Sequence, residues 1–514
     1  MIEYEDVILA IDEGTSGTRA AVVARNSQVY CLEYQPLQVS SQRHGVVEQD
    51  ADEILQATIA VCRTAIANAQ RSKMRIVALA IATQRSTAVL WDVGTGKALV
   101  PAMVWQDARF TDELAQLAPE WDEKLLPLIG RPVGIRSPYL WASYHIANTP
   151  AVNKAYRAGT LVFGTVDSWL LWHLAQEKKC VTTPTNATSA GAYCLNEHQY
   201  HLPWLQTLNF PTSLLPELHD DADDFGTTRE DILGISVPIR ACAGDQFAGA
   251  IGLGCTERGQ AFCMHGTGSF VDLMMGPTVP TLKKSCESTL TMTARRQKGR
   301  SHFSVETFVP TTGSALNWVC EKLRWFDSPE QISELAAQAT DSGGVSFIPA
   351  LTGLRVPHLQ PQARASLNGI SISTTRPQVA YAILEGIAHS VAACIRANEA
   401  ATGIPTQELM VGGGLSNSDT LLQIQADISG IPVRRMTETA RASLRGAAFL
   451  AGADGLLWNS LPEACATLKT ARLFEPKINH VLREQKINRW EMRIALEMDT
   501  ASSLTSANQE HTHS

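Results

Sequence analysis

The order of apolar and polar positions divides the chain into short strands and longer helices. Residues 7–11 form an apolar run that stops at Asp12-Glu13-Gly14-Thr15-Ser16-Gly17-Thr18, and residues 19–24 resume a β pattern. Asn26-Ser27 then turn the chain into a third run near residues 29–32, so the spacing predicts an antiparallel meander. Between about residues 52 and 69, Ile54, Leu55, Ile59, Cys62 and Ile66 recur at helical spacing. Residues 75–83 and 87–91 read as two further strands around Gln84-Arg85-Ser86, and a strand near residues 238–243 leads into a helix opening at Asp245. Meander, helix, strand and helix predict an α/β fold with a mixed sheet.

The pattern then recurs. Residues 259–264 predict a strand ending in His265-Gly266-Thr267-Gly268-Ser269, followed by a strand at 270–275. A helix is predicted over residues 377–399, with Thr375 placed to cap it and Pro377 suited to its first turn. A strand at 409–411, the run Gly412-Gly413-Gly414 and a helix through 421–428 follow. Strand, Gly-Thr turn and strand thus occur twice, about 250 residues apart. This predicts two similar α/β domains, 1–252 and 253–500, with a cleft between them. The polar stretch 501–514 reads as a disordered tail.

Composition narrows the classes without choosing a function. A chain of 514 residues holds two to four domains at about 100–200 residues each. It is 45% hydrophobic and 18% charged, which suits a globular protein and not a disordered one. The net charge of −8 argues against a strongly basic nucleic-acid binder. No apolar run approaches the roughly 18 residues of a membrane span, and the acidic start, Glu3, Glu5 and Asp6, is unlike a secretory signal. Eleven cysteines without a Cys-x-x-Cys pair suit a reduced, cytoplasmic protein with structural thiols.

The candidate chemistry sits at the turns. Small residues after Asp12 let several backbone N–H groups converge as a nest for phosphate oxygens, and Asp12 could hold the water shell of Mg2+; a plain hairpin turn explains the same residues. A second such turn at 265–269 suggests paired loops on one polyphosphate, and Gly412-Gly413-Gly414 lets a flat ligand or a packed helix approach closely. No Walker A motif and no dinucleotide fingerprint are present. Asp245 could accept a proton from a substrate hydroxyl with Gln246 holding its neighbour, or could simply cap a helix. Arg85 and Trp105-Gln106-Asp107 offer ions for hydroxyls and a ring for C–H groups, or a half-buried structural Trp. The histidines show no metal-binding spacing.

Several ordered segments carry a resemblance. They are Val104-Trp105-Gln106-Asp107, residues 163–172 with Thr185-Asn186-Ala187-Thr188, Ala243-Gly244-Asp245-Gln246, Gly266-Thr267-Gly268, residues 349–354, and Ala365-Ser366-Leu367-Asn368-Gly369-Ile370 with Gln378-Val379 and Ala382-Ile383-Leu384-Glu385. From about residue 7 to 490 the chain resembles the FGGY carbohydrate kinases, and within them the glycerol kinases. The resemblance implies two actin-like, ribonuclease-H-like domains around an ATP/substrate cleft. It implies that Asp12 and Asp245 hold Mg2+, that Thr15, Ser16 and Gly17 cradle the ATP phosphates, and that Arg19 steadies the transferred phosphoryl group. Thr267, Gly313, Asn317, Gly414 and Ser418 fall at nucleotide positions; Arg85, Ser86, Trp105, Tyr139, Asp245 and Gln246 fall at polyol positions, with Asp245 the general base.

The resemblance is not uniform. Glycerol kinases carry a glutamate where this chain has Ser86, which implies loss of a charged acceptor for a terminal hydroxyl, about 1.5–3 kcal/mol, and room for a longer polyol. Pro357-His358-Leu359-Gln360-Pro361 and the stretch after Tyr139 also depart from the pattern, as do Gly17 and Ser418 at positions that often touch nucleotide. The expected activity is ATP-dependent phosphorylation of a primary hydroxyl of a small polyol or sugar. Glycerol comes first, with erythritol-like polyols and pentuloses as alternatives. An actin-like nucleotide-dependent sugar-binding module and an inactive kinase are the other readings. A homodimer or homotetramer is compatible with this expectation, and neither a nucleic-acid partner nor membrane insertion is part of it.

Overall fold

Apolar side chains on both faces of residues 7–11 make β1 (Glu5–Gly14) a central strand, and its residues Val7 to Ile11 are completely buried. The structure is a computed structural model describing residues 4–282 and 289–512, apart from the side chains of Gln42 and of 504–512. β1 turns through Thr15-Ser16 into β2 (Gly17–Ala24), which pairs in turn with β3 (Val29–Pro36), both antiparallel. α1 (Ala51–Arg71) crosses back, its first turn capped by Asp50 Oδ1, which accepts from the N–H groups of Asp52 (2.8 Å) and Glu53 (3.3 Å). It delivers the chain to β4 (Met74–Thr83), parallel to β1. β5 (Ile239–Gly244) adds outside β4, also parallel, giving the order β5-β4-β1-β2-β3, and runs into α2 (Asp245–Gly252).

The second half repeats these directions. β6 (Gln260–His265) pairs antiparallel with β7 (Ser269–Gly276); β8 (Leu290–Gln297) and β9 (Arg300–Val309) extend that edge. After α3 (Arg376–Thr402), β10 (Glu408–Gly413) lies parallel to β6 and β11 (Val433–Met436) parallel to β10. α4 (Ala442–Gly452), β12 (Thr470–Phe474) and α5 (His480–Thr512) complete the chain. The order is β8-β9-β7-β6-β10-β11-β12, whose inner five strands match β3-β2-β1-β4-β5 one for one.

Two expectations need correction. The run after Gln84-Arg85-Ser86 does form a strand, Ala88–Asp92, but it joins a separate sheet with Leu161–Thr165 and Ala102–Met103. Ser86, at φ 65°, marks the break where the chain leaves one sheet for the other. The stretch expected as a tail has helical backbone through Thr512; from 501 onward it holds neither Gly nor Pro, so nothing interrupts α5. Residues 513 and 514 lie outside the described residues. α3 carries the expected cap: Thr375 Oγ1 accepts from Gln378 N–H while Gln378 Oε1 accepts from Thr375 N–H at 2.9 Å. It is long and apolar enough to cross a membrane, which no run of residues had suggested, but Ile383, Leu384, Ile387 and Val391 are fully buried in the core.

The halves meet where α2 crosses α4. Ala248 and Gly252 on one helix face Ala442 and Gly446 on the other, each pair one turn apart, so the backbones touch. A Cβ on Gly446 would lie 1.7 Å from the carbonyl oxygen of Ala248, and one on Gly252 1.8 Å from that of Ala442. Backbone cannot yield as a flexible side chain can, so only glycine fits. Gly446→Ala should therefore cost about 1–3 kcal/mol or more in urea denaturation. Gly414→Ala, whose Cβ would meet nothing within 4 Å, should change stability by less than about 0.5 kcal/mol. Equal midpoints for the two variants would contradict the contact.

Candidate active site

Three parallel strands stop at one edge of the first sheet, and their ends supply its chemistry. β1 ends at Asp12-Glu13, β4 is followed by Gln84-Arg85, and β5 is followed by Asp245 at the first turn of α2. In open α/β sheets ligands bind beyond the carboxyl ends of the strands. Here a cavity of about 330 Å³ opens there, lined by Thr15, Arg85, Trp105, Asp245 and Gln246 of the expected residues. It also takes Phe270, Glu306, Phe308 and Arg355, so the cavity is built from both halves.

Arg85 organises the charges. Its Nη2 donates to Glu306 Oε2 at 2.8 Å, Nη1 donates to Ser189 Oγ at 3.0 Å, and Nε lies 4.0 Å from Asp245 Oδ1. Burial opposes its charge, but Glu306 and Asp245 outweigh burial and hold its pKa above the ordinary arginine value. Asp245 Oδ1 accepts from the N–H of Gln246 at 2.8 Å. Enclosure by protein lifts Asp245 to about 7; Arg85 pulls it down, and Asp12 and Glu306 push it further up. Burial and Glu306 also push the fully buried Asp272 well above the carboxylate range, and Ser304 donates to it at 2.8 Å.

The opposite wall is aromatic. Trp105 meets Phe270 edge-on at 6.2 Å, and Phe270 stacks on Phe308 at 5.5 Å. Trp105 Nε1 donates to Thr15 Oγ1 at 2.8 Å, and Thr15 donates to Gln84 Oε1 at 3.1 Å. Gln84 Nε2 donates to Gln49 at 2.9 Å and to Glu13 at 3.3 Å. Gln84 thereby fixes the indole, while Gln246 Oε1 has no hydrogen-bond partner among the described residues. A ring for C–H groups beside an unused acceptor and a carboxylate can bind hydroxyl-bearing carbon chains.

Other expected residues are placed differently. Ser86 is fully buried and donates to Ser189 O at 2.6 Å, so its hydroxyl is used inside the protein and it neither lines nor enlarges the cavity. Tyr139 packs in the core against Phe163 (5.5 Å) and Phe210 (5.1 Å), away from the lining. Asp12, 6% exposed, accepts from Arg19 Nη1 at 3.1 Å. A Cβ on Gly17 would stand 2.4 Å from the exposed Tyr34 ring and displace it from its place, where Tyr34 donates to Ser16 O at 3.2 Å and Arg19 lies over the ring. In the second half, Thr267 O accepts from the N–H groups of Thr312 and Ser314, and a Cβ on Gly313 would strike Gly266 O at 2.4 Å. His265, lowered to about 4 by burial, bonds Ser269 at 2.8 Å and holds this turn. Asn317 is exposed on the following helix, open space lies beside Gly414, and Ser418 caps Asp419–Ser429 by accepting from Leu421 N–H.

Five participants escaped the sequence reading. Glu13 and Glu306 are buried acids on strands; Glu13 directly follows the apolar run and Asp12, whereas Glu306 sits among the polar residues of β9, where no pattern marks it. Arg131 and Arg136 sit in a Gly/Pro-rich loop and Arg355 in another, and no spacing marks them. Among the described residues no group of three His, Cys, Asp or Glu side chains could hold a metal.

Residues 7–252 match the N-terminal domain, and residues 261–454 the C-terminal domain, of the FGGY family of carbohydrate kinases. The glycerol kinase of Acinetobacter baylyi is 33% identical over 487 residues, 94% of this chain and 97% of that protein. That of Dechloromonas aromatica is 35% identical over 494 residues, 95% and 96% of the two chains. The structure of Plasmodium falciparum glycerol kinase with ADP superposes with a TM-score of 0.89 at 25% identity, covering 96% of this chain and 98% of that one. Ligand-bound xylulose kinase from Lactobacillus acidophilus, at 19% identity and TM-score 0.83 over 98% and 100%, shares the fold.

The charge arrangement has a direct readout. Difference infrared spectroscopy of the carboxyl C=O stretch should find Asp245 titrating near 7. In Glu306→Gln the midpoint should fall, because a negative neighbour is gone and Arg85 is free to pair with Asp245. A rise would contradict the arrangement.

Proposed function

The chain belongs to the FGGY family of carbohydrate kinases, and on that premise we propose that it transfers the γ-phosphoryl group of ATP to a primary hydroxyl of a small polyol, with glycerol the first acceptor. The observation that carries this reading is Asp245, poised near neutrality on a cavity with Arg85, Trp105 and Gln246. The acceptor lies with its C–H groups on Trp105 and a hydroxyl on Gln246 Oε1. Asp245 takes the proton of the primary hydroxyl as its oxygen bonds to the γ-phosphorus. The bond from that phosphorus to the bridging oxygen breaks, and its electron pair leaves with ADP. Such reactions depend mainly on positioning and charge stabilisation.

Residues 253–500 hold the nucleotide in this reading, through the turn at Thr267, Gly313, Asn317 and the open backbone at Gly414. The side chain of Ser418 is committed to its helix, and that of Thr15 to Trp105 and Gln84. Phosphates meet the turn at Ser16 and Gly17, with Arg19 beside them. The acids present fit Mg2+, which takes one or two carboxylates and otherwise waters and phosphate oxygens. Asp12 and Asp245 are close enough for one to raise the pKa of the other, and they would hold its shell. Bound there, Mg2+ would neutralise charge on the phosphates.

An assay of ADP release with ATP, Mg2+ and a polyol panel tests this reading. Below pH 7 Asp245 keeps its proton, so kcat/KM should fall about tenfold per unit on the acid side. Asp245→Asn should lower kcat by about 10²–10⁴-fold. Full activity in that variant removes the base assignment, and no acceptor-stimulated ADP release removes the kinase reading.

A further inference from the structure

The cavity holds more positive charge than its acids balance. Four arginines line it, Arg85, Arg131, Arg136 and Arg355, against Asp245 and Glu306. Both acids are committed to Arg85, at 4.0 Å and 2.8 Å. Arg131 has a single hydrogen bond, from Nη1 to Ser189 O at 2.5 Å, and no ion pair among the described residues. Arg136 has neither there: its guanidinium lies 5.9 Å from the Trp105 ring centre, and its Nε is buried without a partner. Arg355 likewise has no side-chain partner among the described residues. Burial together with Arg131 and Arg85 pushes Arg136 down to about 9. Guanidinium groups massed in an enclosed space, with donors unused, make a receptor for a planar or tetrahedral oxyanion.

Resting on the kinase reading above, we propose that the cavity takes, beyond glycerol, small polyol acceptors that carry an oxyanion group, a carboxylate or a phosphate, held by Arg131, Arg136 and Arg355 while the primary hydroxyl faces Asp245. Asp245 and Glu306 repel an anion from the reacting end and so fix the direction in which the acceptor lies. Trp105, with Arg136 over its ring, forms the wall along which the carbon chain runs. A neutral polyol leaves the buried Nε of Arg136 without an acceptor, and an anionic one supplies it.

The test compares matched acceptors on the full chain with ATP and Mg2+. Glycerol is set against glycerate, erythritol against erythronate, and glycerol against glycerol 1-phosphate, with products identified by mass spectrometry. The anionic member should be preferred in kcat/KM by about ten- to a hundredfold, the size of one or two charged hydrogen bonds. Preference for the acids identifies a carboxylate, and preference for the phosphate ester identifies a phosphate. In Arg136→Met the ratio of anionic to neutral kcat/KM should collapse toward one, and Arg136→Lys should restore part of it. A neutral preference left unaltered by Arg136→Met overturns the proposal while leaving the kinase reading intact. A higher KM for ATP, with the acceptor ratio unmoved, assigns the arginine to the nucleotide and also overturns it. If no acceptor turns over, the kinase reading fails, and thermal shifts with the same panel decide the anion site. Stabilisation by glycerate, erythronate or glycerol 1-phosphate that is lost in Arg136→Met supports it, and equal shifts for anionic and neutral ligands overturn it. Ligand-free melting of each variant checks that it folds.

Discussion

Two helix backbones in contact fix the geometry on which the site depends. The α2–α4 crossing leaves no room for a Cβ at Gly252 or Gly446. Asp245 is the first residue of α2, and Ser443 on α4 donates to its carbonyl oxygen at 3.1 Å. The position of the carboxylate relative to the second half therefore follows from a backbone approach that a single methyl group would prevent. Contact of this kind is rigid because carbonyl oxygens cannot rotate away as side chains do.

Electrostatics then builds on that frame. Arg85 leaves the end of β4 and reaches Glu306 on β9, so one buried pair joins strands of the two halves. Removing one partner from such a pair costs about 3–5 kcal/mol because the other charge stays buried. Burial lifts Asp245 toward neutrality, and the same pair leaves it only part of the guanidinium field that would pull it back down. Structure and reactivity share one interaction: the arginine that ties the halves together also tunes the carboxylate beside it.

Much of this was legible in the chain. Apolar runs identified β1, β4, β6 and β10, and the recurrence of a Gly-Thr turn suggested a duplication with which the strand directions agree. Thr375 and Pro377 announced the start of α3, since a cap and a first-turn proline act within one turn. Arg85, Trp105, Asp245 and Gln246 do line a cavity together. Ser86 and Tyr139, which the resemblance assigns to the polyol, lie outside the cavity lining, because a position in the sequence does not give a side chain's direction. One extra residue turns a side chain from cavity to core, and Ser86 at positive φ turns its hydroxyl onto Ser189.

By itself, the sequence determined what acts over a few residues: the strands, the caps, the small-residue turns and the carboxylate at the head of α2. Only the tertiary structure decided the charge of the cavity. Arg85, Arg131, Glu306 and Arg355 are far apart along the chain and meet across it. Coulomb interaction depends on distance through space and on the loss of surrounding water, neither of which residue spacing encodes. That is why a chain of net charge −8 can enclose a cavity whose unpaired groups are arginines.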